Sequence, residues 1–351
     1  MRAELIQVGD RHIGEGAPCF IAAEIGINHN GDLTLAHAMI QAAARAGASG
    51  VKFQNYRTAD FIADRALRYE YERDGQRINV SQYDMFKQCE LDRDALVQLA
   101  AWCRDAGVVF FSTPTSDETL DDLVHAGSPL VKNGSDYLTN VALIAAMARS
   151  GLPAVLSTGM STSEEIDDAV HAFRGAGGRE LVLTHCTSSY PTPDDEVNLA
   201  RIPVLGERYG CAIGFSDHTW GTSAAIGAVA LGAVFVEKHF TIDKSLPGPD
   251  QAFSSDEEEL RELVAGIRRF ERQRGSVTIA PTASEAAGRA QFRLSCVAAR
   301  DLPVGHCLES RDIAFRRPGD GLPPKAIDRL VGRRLQRAAV VGQRITEDDV
   351  Q

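Results

Sequence analysis

The sequence lacks the apolar run of about 18 residues that a membrane-spanning helix needs; its longest apolar stretch, 224–236, is interrupted by glycine. It also lacks a basic surplus, since 37 Lys and Arg stand against 48 Asp and Glu, which gives a net charge of −11. An acidic balance argues against binding to the phosphate backbone of nucleic acids. We therefore expect neither a membrane nor a nucleic acid as a partner.

Paired cysteines are absent as well. The seven cysteines are scattered singly and form no CxxC motif, which argues against a disulfide framework or a structural zinc site. The start of the sequence has no basic segment followed by an apolar one, so it gives no sign of a secretory signal. Reduced thiols and the missing signal predict a cytoplasmic protein.

The sequence does contain a repeating alternation of apolar strands and amphipathic helices. With 351 residues, 44% of them hydrophobic, the chain can bury a full core. Near-continuous apolar runs are typical of parallel strands that are covered on both faces. The predicted strands are 19–28, 50–56, 108–114, 130–135, 154–159, 181–186, 211–217 and 234–240. Eight strand–helix units in about 250 residues indicate a (β/α)8 barrel. A doubly wound sheet is the alternative, but no GxGxxG motif follows the first strand.

One interval breaks the regular spacing of the strands. Residues 57–93, between the second and third predicted strands, form a long insertion rich in Tyr, Arg and Asp. Insertions at the C-terminal face of a barrel commonly act as lids or substrate walls. A surface loop without function is the alternative.

The pattern also changes after the last predicted helix. We expect a barrel domain over 1–275, a polar, Ala-rich linker over 276–290 and a small domain over 291–351. Within that domain VGHCLESRDI (304–313) and VGQRITEDDV (341–350) look like two copies of one element. The small domain is therefore predicted to be pseudo-symmetric.

Polar residues stand at the C-terminal end of nearly every predicted strand, where the active sites of (β/α)8 barrels lie. Side chains alternate along a strand, so Glu237 and His239 share one face. His218 and His239 end neighbouring strands, and barrel closure brings Glu24 beside the eighth strand. Two imidazoles next to a carboxylate suit a divalent ion such as Mn²⁺ or Co²⁺. Hydrogen-bonded core histidines are the alternative.

Two lysines lie in strands that should be buried. A lysine rarely enters a barrel interior without an anionic partner. Lys52 and Lys132, with Ser and Thr hydroxyls close in the sequence, therefore suggest a phosphate or carboxylate ligand. A structural ion pair, an outward-facing side chain and a Schiff-base lysine are the alternatives.

A set of short motifs spread over nearly the whole chain resembles those of the sialic acid synthases. They are AEIGINHNG (23–31), VKFQ (51–54), STP (112–114), LSTGM (156–160), HCTSSYPTP (185–193), GFSDHT (214–219), EKHFT (237–241), PGPD (247–250) and RRPGDG (316–321). The resemblance implies a (β/α)8 TIM barrel followed by an antifreeze-like (SAF) domain. It also implies a transferase that condenses phosphoenolpyruvate with an N-acyl amino sugar and releases phosphate. The sugar would be N-acetylmannosamine or a 2,4-diacetamido hexose.

The resemblance implies a role for individual residues. His218 and His239 would bind the metal, with manganese expected and magnesium or cobalt as alternatives. Glu24 would be a catalytic group beside the metal-bound water. Arg317 would enter the barrel of a partner subunit in a domain-swapped homodimer. The other substrate contacts would be Lys52, Thr113, Lys132, Ser135, Ser188 and Ser216 for phosphoenolpyruvate, and Gln54, Tyr190 and Asp250 for the amino sugar.

Three positions depart from the family pattern. Ser188 stands where Asn is common, Tyr137 stands where an acidic residue is familiar, and Arg293 replaces an aromatic residue near the N-acyl group of the sugar. The last departure leaves the identity of the sugar open. Two other functions also stay open: a phosphoenolpyruvate–aldose synthase that uses a phosphorylated sugar, and a non-catalytic carbohydrate-binding protein. The first would require a second basic cluster, and the second leaves the two histidines and two lysines unexplained.

Overall fold

The computed structural model describes residues 5–73 and 76–351. The chain divides into two compact units, and the boundary between them in the sequence lies between Gly275 and Ser276. The strands, in chain order, are β1 (Ile6–Val8), β2 (Arg11–Ile13), β3 (Phe20–Gly26), β4 (Gly50–Asn55), β5 (Arg68–Arg73), β6 (Gln76–Ser81), β7 (Val109–Pro114), β8 (Val131–Lys132), β9 (Ala154–Ser157), β10 (Leu181–Cys186), β11 (Ala212–Asp217), β12 (Phe235–His239), β13 (Ser295–Ala298) and β14 (Ile313–Arg316).

Eight parallel strands of the first unit close into a barrel in the order β3, β4, β7, β8, β9, β10, β11, β12. The barrel closes because β12 pairs with β3, which aligns His239 with Glu24. Each predicted strand coincides with one strand of this barrel, and the predicted fold is confirmed. The doubly wound alternative is wrong, since such a sheet stays open.

In the first unit, helices follow the barrel strands and cover the outside of the barrel, whereas α11 belongs to the second unit. The α-helices are α1 (Leu33–Ala46), α2 (Thr58–Phe61), α3 (Gln82–Gln88), α4 (Arg93–Asp105), α5 (Asp117–His125), α6 (Val141–Arg149), α7 (Ser163–Gly175), α8 (Arg201–Tyr209), α9 (Ser223–Ala230), α10 (Glu257–Arg274) and α11 (Ala286–Phe292). Local sequence explains their ends: the Asp32 carboxylate accepts from two backbone N–H groups of α1, and Ser116, Thr162 and Asp256 form capping boxes. Gly47 ends α1 in the left-handed region.

The apolar core of the first unit has two parts. One lies between the strands and the surrounding helices, as expected for strands covered on both faces. The other fills the N-terminal end of the barrel, where Phe20, Phe111 and Phe235 pack against each other. The β1–β2 hairpin closes that end with Ile6, Val8 and Ile13.

The insertion at 57–93 is structured. Its strands β5 and β6 form an antiparallel hairpin, and α2 and α3 pack together beside it. Phe61, Met85 and Phe86 of these helices pack on Ile27 and Tyr56, which follow barrel strands. The insertion is thereby attached to the C-terminal end of the barrel.

The second unit has its own apolar core and short elements. Strands β13 and β14 pair antiparallel, and most other segments are turns and 3₁₀-helices. The predicted repeat is visible in the contacts: Asp312 caps one 3₁₀-turn and pairs with Arg300, whereas Asp349 caps the corresponding turn and pairs with Arg337. Residues 276–290, the predicted linker, fall in this unit, and α11 begins within them.

All seven cysteines lie in the described part of the chain and are free thiols. In that same part, we find no helix with the length and apolar character that crossing a bilayer requires.

Candidate active site

A cavity of about 340 Å³ opens at the C-terminal end of the barrel strands. Its size is within the range of small-molecule sites, roughly 300–1,000 Å³. All predicted site residues of the barrel line it: Glu24, Lys52, Gln54, Thr113, Lys132, Ser135, Ser188, Tyr190, Ser216, His218, His239 and Asp250. Arg317 belongs to the second unit, where its guanidinium lies 5.2 Å from the centre of the Phe292 ring.

Strand register explains why these side chains meet. Glu24 is level with His239 on one neighbouring strand and with Lys52 on the other. Ser216 is level with Glu237. Because side chains alternate along a strand, residues at the same level of adjacent strands point to the same side of the barrel. The shared level places several polar side chains next to one another in the cavity.

The floor of the cavity holds four buried charged residues, Glu24, Lys52, Glu237 and Lys132, which we call the charge cluster. Lys52 Nζ lies 2.8 Å from Glu24 Oε1 and 3.9 Å from Glu237 Oε2. Lys132 Nζ lies 3.2 Å from Glu237 Oε1. Each of the four residues is at most 3% exposed. The two lysines therefore point into the barrel and not toward the helices, as predicted.

The residues of the charge cluster change one another's pKa values. Burial raises the pKa of Glu24 to about 7, although the charge of Lys52 opposes the shift. Burial would lower the pKa of Lys52, but the charges of Glu237 and Glu24 raise it. Glu24 Oε2 and Glu237 Oε2 are buried without a hydrogen-bond partner. Buried acceptors without a partner are costly unless a ligand or water satisfies them.

Hydroxyl groups lie beside the two lysines and their carboxylate partners. Lys52 Nζ donates to Thr113 Oγ1 at 3.1 Å, and Ser216 Oγ donates to Glu237 Oε1 at 3.0 Å. Ser135 Oγ lies 2.9 Å from Ser157 Oγ. Ammonium and hydroxyl groups are the donors that bind phosphate and carboxylate groups in proteins, and here the two lysines are paired with Glu24 and Glu237.

The two predicted metal-binding histidines are neighbours at the rim. Their ring centres lie 5.4 Å apart. His218 Nδ1 is 2.8 Å from the Thr187 carbonyl oxygen, which fixes the proton on Nδ1 and leaves Nε2 as a free electron-pair donor. His239 Nδ1 is buried without a hydrogen-bond partner and lies 3.7 Å from Asp250 Oδ2.

The donor set at the rim fits a divalent ion. Burial, together with nearby cationic side chains that include Lys52 and Lys132, lowers the pKa of His239 well below its usual range; the neutral ring is the form that binds a metal. No group of three or more His, Cys, Asp or Glu forms a metal site within residues 5–73 and 76–351. The protein would therefore supply two imidazoles, and substrate or water would complete the coordination.

Aromatic, amide and carboxyl groups also line the cavity near the histidine pair. The Tyr190 ring lies 4.2 Å from the His218 ring and 5.9 Å from the His239 ring, measured between centres. Gln54 Nε2 donates to Glu24 Oε1 at 3.1 Å. Burial raises the pKa of Asp250 to about 6. These side chains give the rim the mixed apolar and hydrogen-bonding character that a sugar requires.

Several cavity residues were not predicted from the sequence. They are Ile27, Tyr56, Phe61, Tyr69, Phe86, Ser157, Met160 and Asp136. Most belong to the insertion or follow a strand end. Asp136 is one position before Tyr137, where the family pattern has an acid, so an acidic group is still present beside the cavity. The aromatic residue that Arg293 replaces is likewise found one position earlier, because Phe292 supplies an aromatic ring near Arg317.

A further lysine at a strand end, Lys238, was not predicted to have a role. Lys238 alternates with Glu237 and His239 and therefore points away from the cavity. Its Nζ is 2.9 Å from Asp217 Oδ2, and both residues are buried. The pair ties the strand that carries His239 to the segment that carries His218.

Comparison with known proteins agrees with this geometry. The model of the NeuB family matches residues 39–278, and the model of the SAF domain matches residues 295–351. An uncharacterized protein of Methanocaldococcus jannaschii is 39% identical over 95% of both chains. N,N'-diacetyllegionaminic acid synthase of Legionella pneumophila is 37% identical over 92% of both chains.

A solved structure is similar as well. The N-acetylneuraminic acid synthetase of Leptospira borgpetersenii, crystallised with citrate, superposes with a TM-score of 0.74 at 33% identity, covering 82% of this chain and 95% of that one. The family model covers more than half of the chain, and the relatives span almost its whole length. The chain belongs to the NeuB family of nonulosonic acid synthases and ends in a SAF domain.

Proposed function

We propose that this enzyme condenses phosphoenolpyruvate with the open-chain aldehyde of an N-acyl amino sugar and releases phosphate, as a transferase. The observation that carries the proposal is the charge cluster, which lies beside two histidines whose ring nitrogens could bind a metal. The names of the relatives, which describe synthases of legionaminic and N-acetylneuraminic acids, support it.

The anion site accounts for one substrate. Lys52 and Lys132 would neutralise the phosphate and carboxylate groups of phosphoenolpyruvate, with Thr113, Ser135, Ser188 and Ser216 as further donors. Glu24 and Glu237 keep both lysines charged and oriented before the anion arrives. Donors that are already in position need no rearrangement when charge develops during the reaction.

The histidine pair accounts for the other substrate. A divalent ion held by His218 and His239, with manganese as our expectation, would supply Lewis-acid polarisation of the sugar aldehyde. Tyr190, Gln54 and Asp250 surround that position and would orient the sugar. Both substrates would then lie in one cavity, with their reacting carbons close together.

The proposed reaction forms one carbon–carbon bond and breaks the carbon–oxygen bond to phosphate. C3 of phosphoenolpyruvate attacks the aldehyde carbon, forming a C–C bond, and the aldehyde oxygen takes up a proton. A water molecule adds to C2, and Glu24, in its ionised form, accepts a proton from that water. The C2–O bond to phosphate then breaks, the leaving phosphate takes up the proton of the new C2 hydroxyl, and a C2 carbonyl forms. Glu24 returns the proton of the water to solvent, which balances the proton taken up by the aldehyde oxygen. Glu24 suits this role because it lies at the cavity floor with one unpartnered oxygen.

The test of this proposal is an assay of phosphoenolpyruvate-dependent phosphate release, with N-acetylmannosamine and 2,4-diacetamido hexoses offered separately. We expect release to require both an amino sugar and a divalent ion, with a product whose mass equals the sugar plus pyruvate. Release that requires a phosphorylated sugar would favour the other phosphoenolpyruvate–aldose synthases. Sugar binding without any phosphate release would indicate a carbohydrate-binding protein.

We further propose that Arg317 completes the cavity of a partner subunit in a homodimer. Arg317 stands at the end of β14 in a unit with a small core, and its guanidinium would contact the sugar. If so, mixing inactive Arg317→Ala subunits with inactive His218→Ala subunits should restore part of the activity, because one site of the mixed dimer contains both native residues. No recovery after verified subunit exchange would mean that each chain builds its own site.

A further inference from the structure

The regular pairing between β11 and β12 ends one residue before the two histidines. Its last pair places Asp217 opposite Lys238, and the next residues along the two segments are His218 and His239. On its other side β12 is still paired at this level, since His239 is opposite Glu24 of β3. His218 lies beyond the end of β11, so its position relative to His239 is set by contacts other than strand pairing.

The side chains of that last pair provide such contacts. Lys238 Nζ lies 2.9 Å from Asp217 Oδ2 and also donates to the carbonyl oxygen of Thr219. Asp217 Oδ1 accepts from the backbone N–H of Thr219 at 2.9 Å and from its hydroxyl at 2.8 Å. The residues on both sides of His218 are thus bonded to one lysine, which itself directly precedes His239.

These three side chains are closed to solvent and lie outside the cavity lining. Asp217, Thr219 and Lys238 are 1%, 3% and 2% exposed, and none of them lines the cavity. Both carboxylate oxygens of Asp217 and the ammonium group of Lys238 have partners within the protein. The pair can therefore affect the reaction only through the histidines beside it.

Other contacts hold His218 to a different part of the barrel. Its carbonyl oxygen accepts from the backbone N–H of Thr192 at 2.9 Å, and its Nδ1 lies 2.8 Å from the Thr187 carbonyl oxygen. Both partners belong to the segment between β10 and α8. These contacts tie His218 to that segment, whereas the Asp217–Lys238 pair ties it to the strand of His239.

A buried ion pair generally adds little net stability. The desolvation of two charges offsets most of their attraction, and apolar replacements of similar size are often equally stable. What such a pair supplies is direction, because charge-assisted hydrogen bonds hold their atoms at short, defined distances. A metal site needs this precision, since its donor distances vary by only about 0.2 Å.

We propose that Asp217 and Lys238 are positioning residues for the metal, and that their ion pair sets the separation of the two histidine donors. The inference rests on the proposed metal-dependent condensation, because it concerns the ion that His218 and His239 would bind. Without the ion pair, the segment after β11 can move relative to β12, and the histidine nitrogens no longer converge on one ion. Groups that orient metal ligands are commonly worth about 10–100-fold in metal affinity.

The experiment measures Mn²⁺ binding to the full-length enzyme after its metals have been removed with a chelator. Free Mn²⁺ is followed by electron paramagnetic resonance, a readout that does not depend on turnover. We expect Lys238→Met and the double variant Lys238→Met/Asp217→Asn each to bind Mn²⁺ about tenfold or more weakly than the wild-type enzyme. His218→Ala should lose this binding and gives the baseline.

The double variant separates positioning from stability. Lys238→Met alone leaves the Asp217 carboxylate buried without its counter-ion, so urea unfolding should show a loss of stability. Asp217→Asn in the same chain removes that charge but keeps an oxygen for the Thr219 N–H, and stability should recover. Mn²⁺ affinity should not recover, because the bond between the two strands is still missing. If Lys238→Met does not fold, as judged by circular dichroism, the double variant alone carries the test.

A matched control is Asp122→Asn. Asp122 is 2% exposed, pairs with Arg57 and Arg93, and does not line the cavity. This variant should lose stability and keep the wild-type affinity for Mn²⁺. An equal loss of affinity in the control would mean that Mn²⁺ affinity follows stability in general, which would overturn the positioning role.

The remaining outcomes separate the inference from the proposed function. Wild-type Mn²⁺ affinity in the double variant would overturn the positioning role while leaving the histidine site intact. If wild type binds no Mn²⁺, or if His218→Ala binds it equally well, the histidine pair is not the metal site. The metal-dependent condensation would then fail, and the inference would fail with it.

Discussion

The two ends of the barrel are built from the same strands but carry opposite kinds of side chain. At the N-terminal end, Phe20, Phe111 and Phe235 pack with the β1–β2 hairpin into a dry core. A few residues farther along the same strands, Glu24 and Glu237 form buried ion pairs with lysines. The first end gains stability from burial, about 25 cal/mol per Å² of apolar surface. The second end contains buried charges whose desolvation offsets much of their mutual attraction.

The contrast indicates a division of labour within single strands. Removing a side chain from the N-terminal end should lower stability and leave the chemistry intact. Removing His218 from the C-terminal end should do the reverse, whereas removing a buried lysine there should lower both activity and stability, because it leaves a carboxylate without its ion-pair partner. Barrel enzymes in general place catalytic residues at the C-terminal ends of the strands, and here the boundary lies within four residues of β3, between Phe20 and Glu24.

The largest effect is expected from His218→Ala. Loss of a metal ligand should remove several kcal/mol of transition-state stabilisation, a decrease in kcat of about a thousandfold or more. Stability should change little, because His218 makes one backbone hydrogen bond. The measurements are phosphate-release kinetics and urea unfolding of the same preparation.

The matched control for that variant is His185→Gln. His185 is equally buried, but its Nε2 contacts the Val197 carbonyl oxygen and the residue does not line the cavity. It should keep most of the activity. A His218→Ala enzyme that turns over normally after chelation of metals would remove the histidine pair from the mechanism.

Phe20→Ala tests the other end. Phe20 is about 1% exposed and its ring stacks on that of Phe235 at 5.5 Å. Truncation of a buried Phe costs about 3–5 kcal/mol of unfolding free energy. We expect urea unfolding to show a loss of this size, with kcat unchanged for the folded enzyme. A large fall in kcat with stability intact would show that the two ends are not separable.

A smaller effect is expected from pH. Since burial raises the pKa of Glu24 to about 7, and the ionised form is needed to accept a proton from water, kcat/KM should fall about tenfold per unit below that pH. The residual activity of Glu24→Gln should lack this dependence. An identical pH profile in the variant would assign the titration to another group.

Stability should follow the opposite trend over the same range. The pKa of Glu24 is higher in the folded protein than its ordinary value of 4.5, so the unfolded chain loses this proton first as the pH rises. The contribution of Glu24 to the free energy of unfolding should therefore decrease between about pH 4.5 and 7. Urea unfolding of wild type and Glu24→Gln across this range measures the difference.

Much of the barrel could be predicted from the sequence because its strands are long apolar runs at regular spacing. The site residues were predictable for a related reason: a lysine or histidine at the end of such a run, as at Lys132 and His218, has no ordinary place in a core. Because side chains alternate along a strand, the sequence also predicted that Glu237 and His239 share one face.

The remainder depends on contacts that are distant in sequence. In hairpin β5–β6, Tyr69 and Tyr71 alternate with charged residues and pair with Val80 and Ile78. This short, strongly charged alternation was not interpreted as two strands, so the insertion was predicted only as a wall or loop. The apolar cluster of Ile27, Tyr56, Phe61 and Phe86 joins residues from two strand ends and two helices, and nothing local in the sequence indicates that they meet. Helix α11 is short and Ala-rich, and therefore had the composition of the predicted linker.

The charged end of the barrel is the centre of this account, and a thermal-shift titration with phosphoenolpyruvate tests it most directly. A ligand that binds the native state stabilises it in proportion to the logarithm of its concentration. We expect phosphoenolpyruvate to raise the melting temperature of the wild-type enzyme and of Phe20→Ala alike, because both keep the charge cluster. Lys132→Ala, which leaves Glu237 with one fewer buried ammonium neighbour, should show little or no rise. An equal rise in Lys132→Ala would contradict the assignment of this end of the barrel to the anionic substrate.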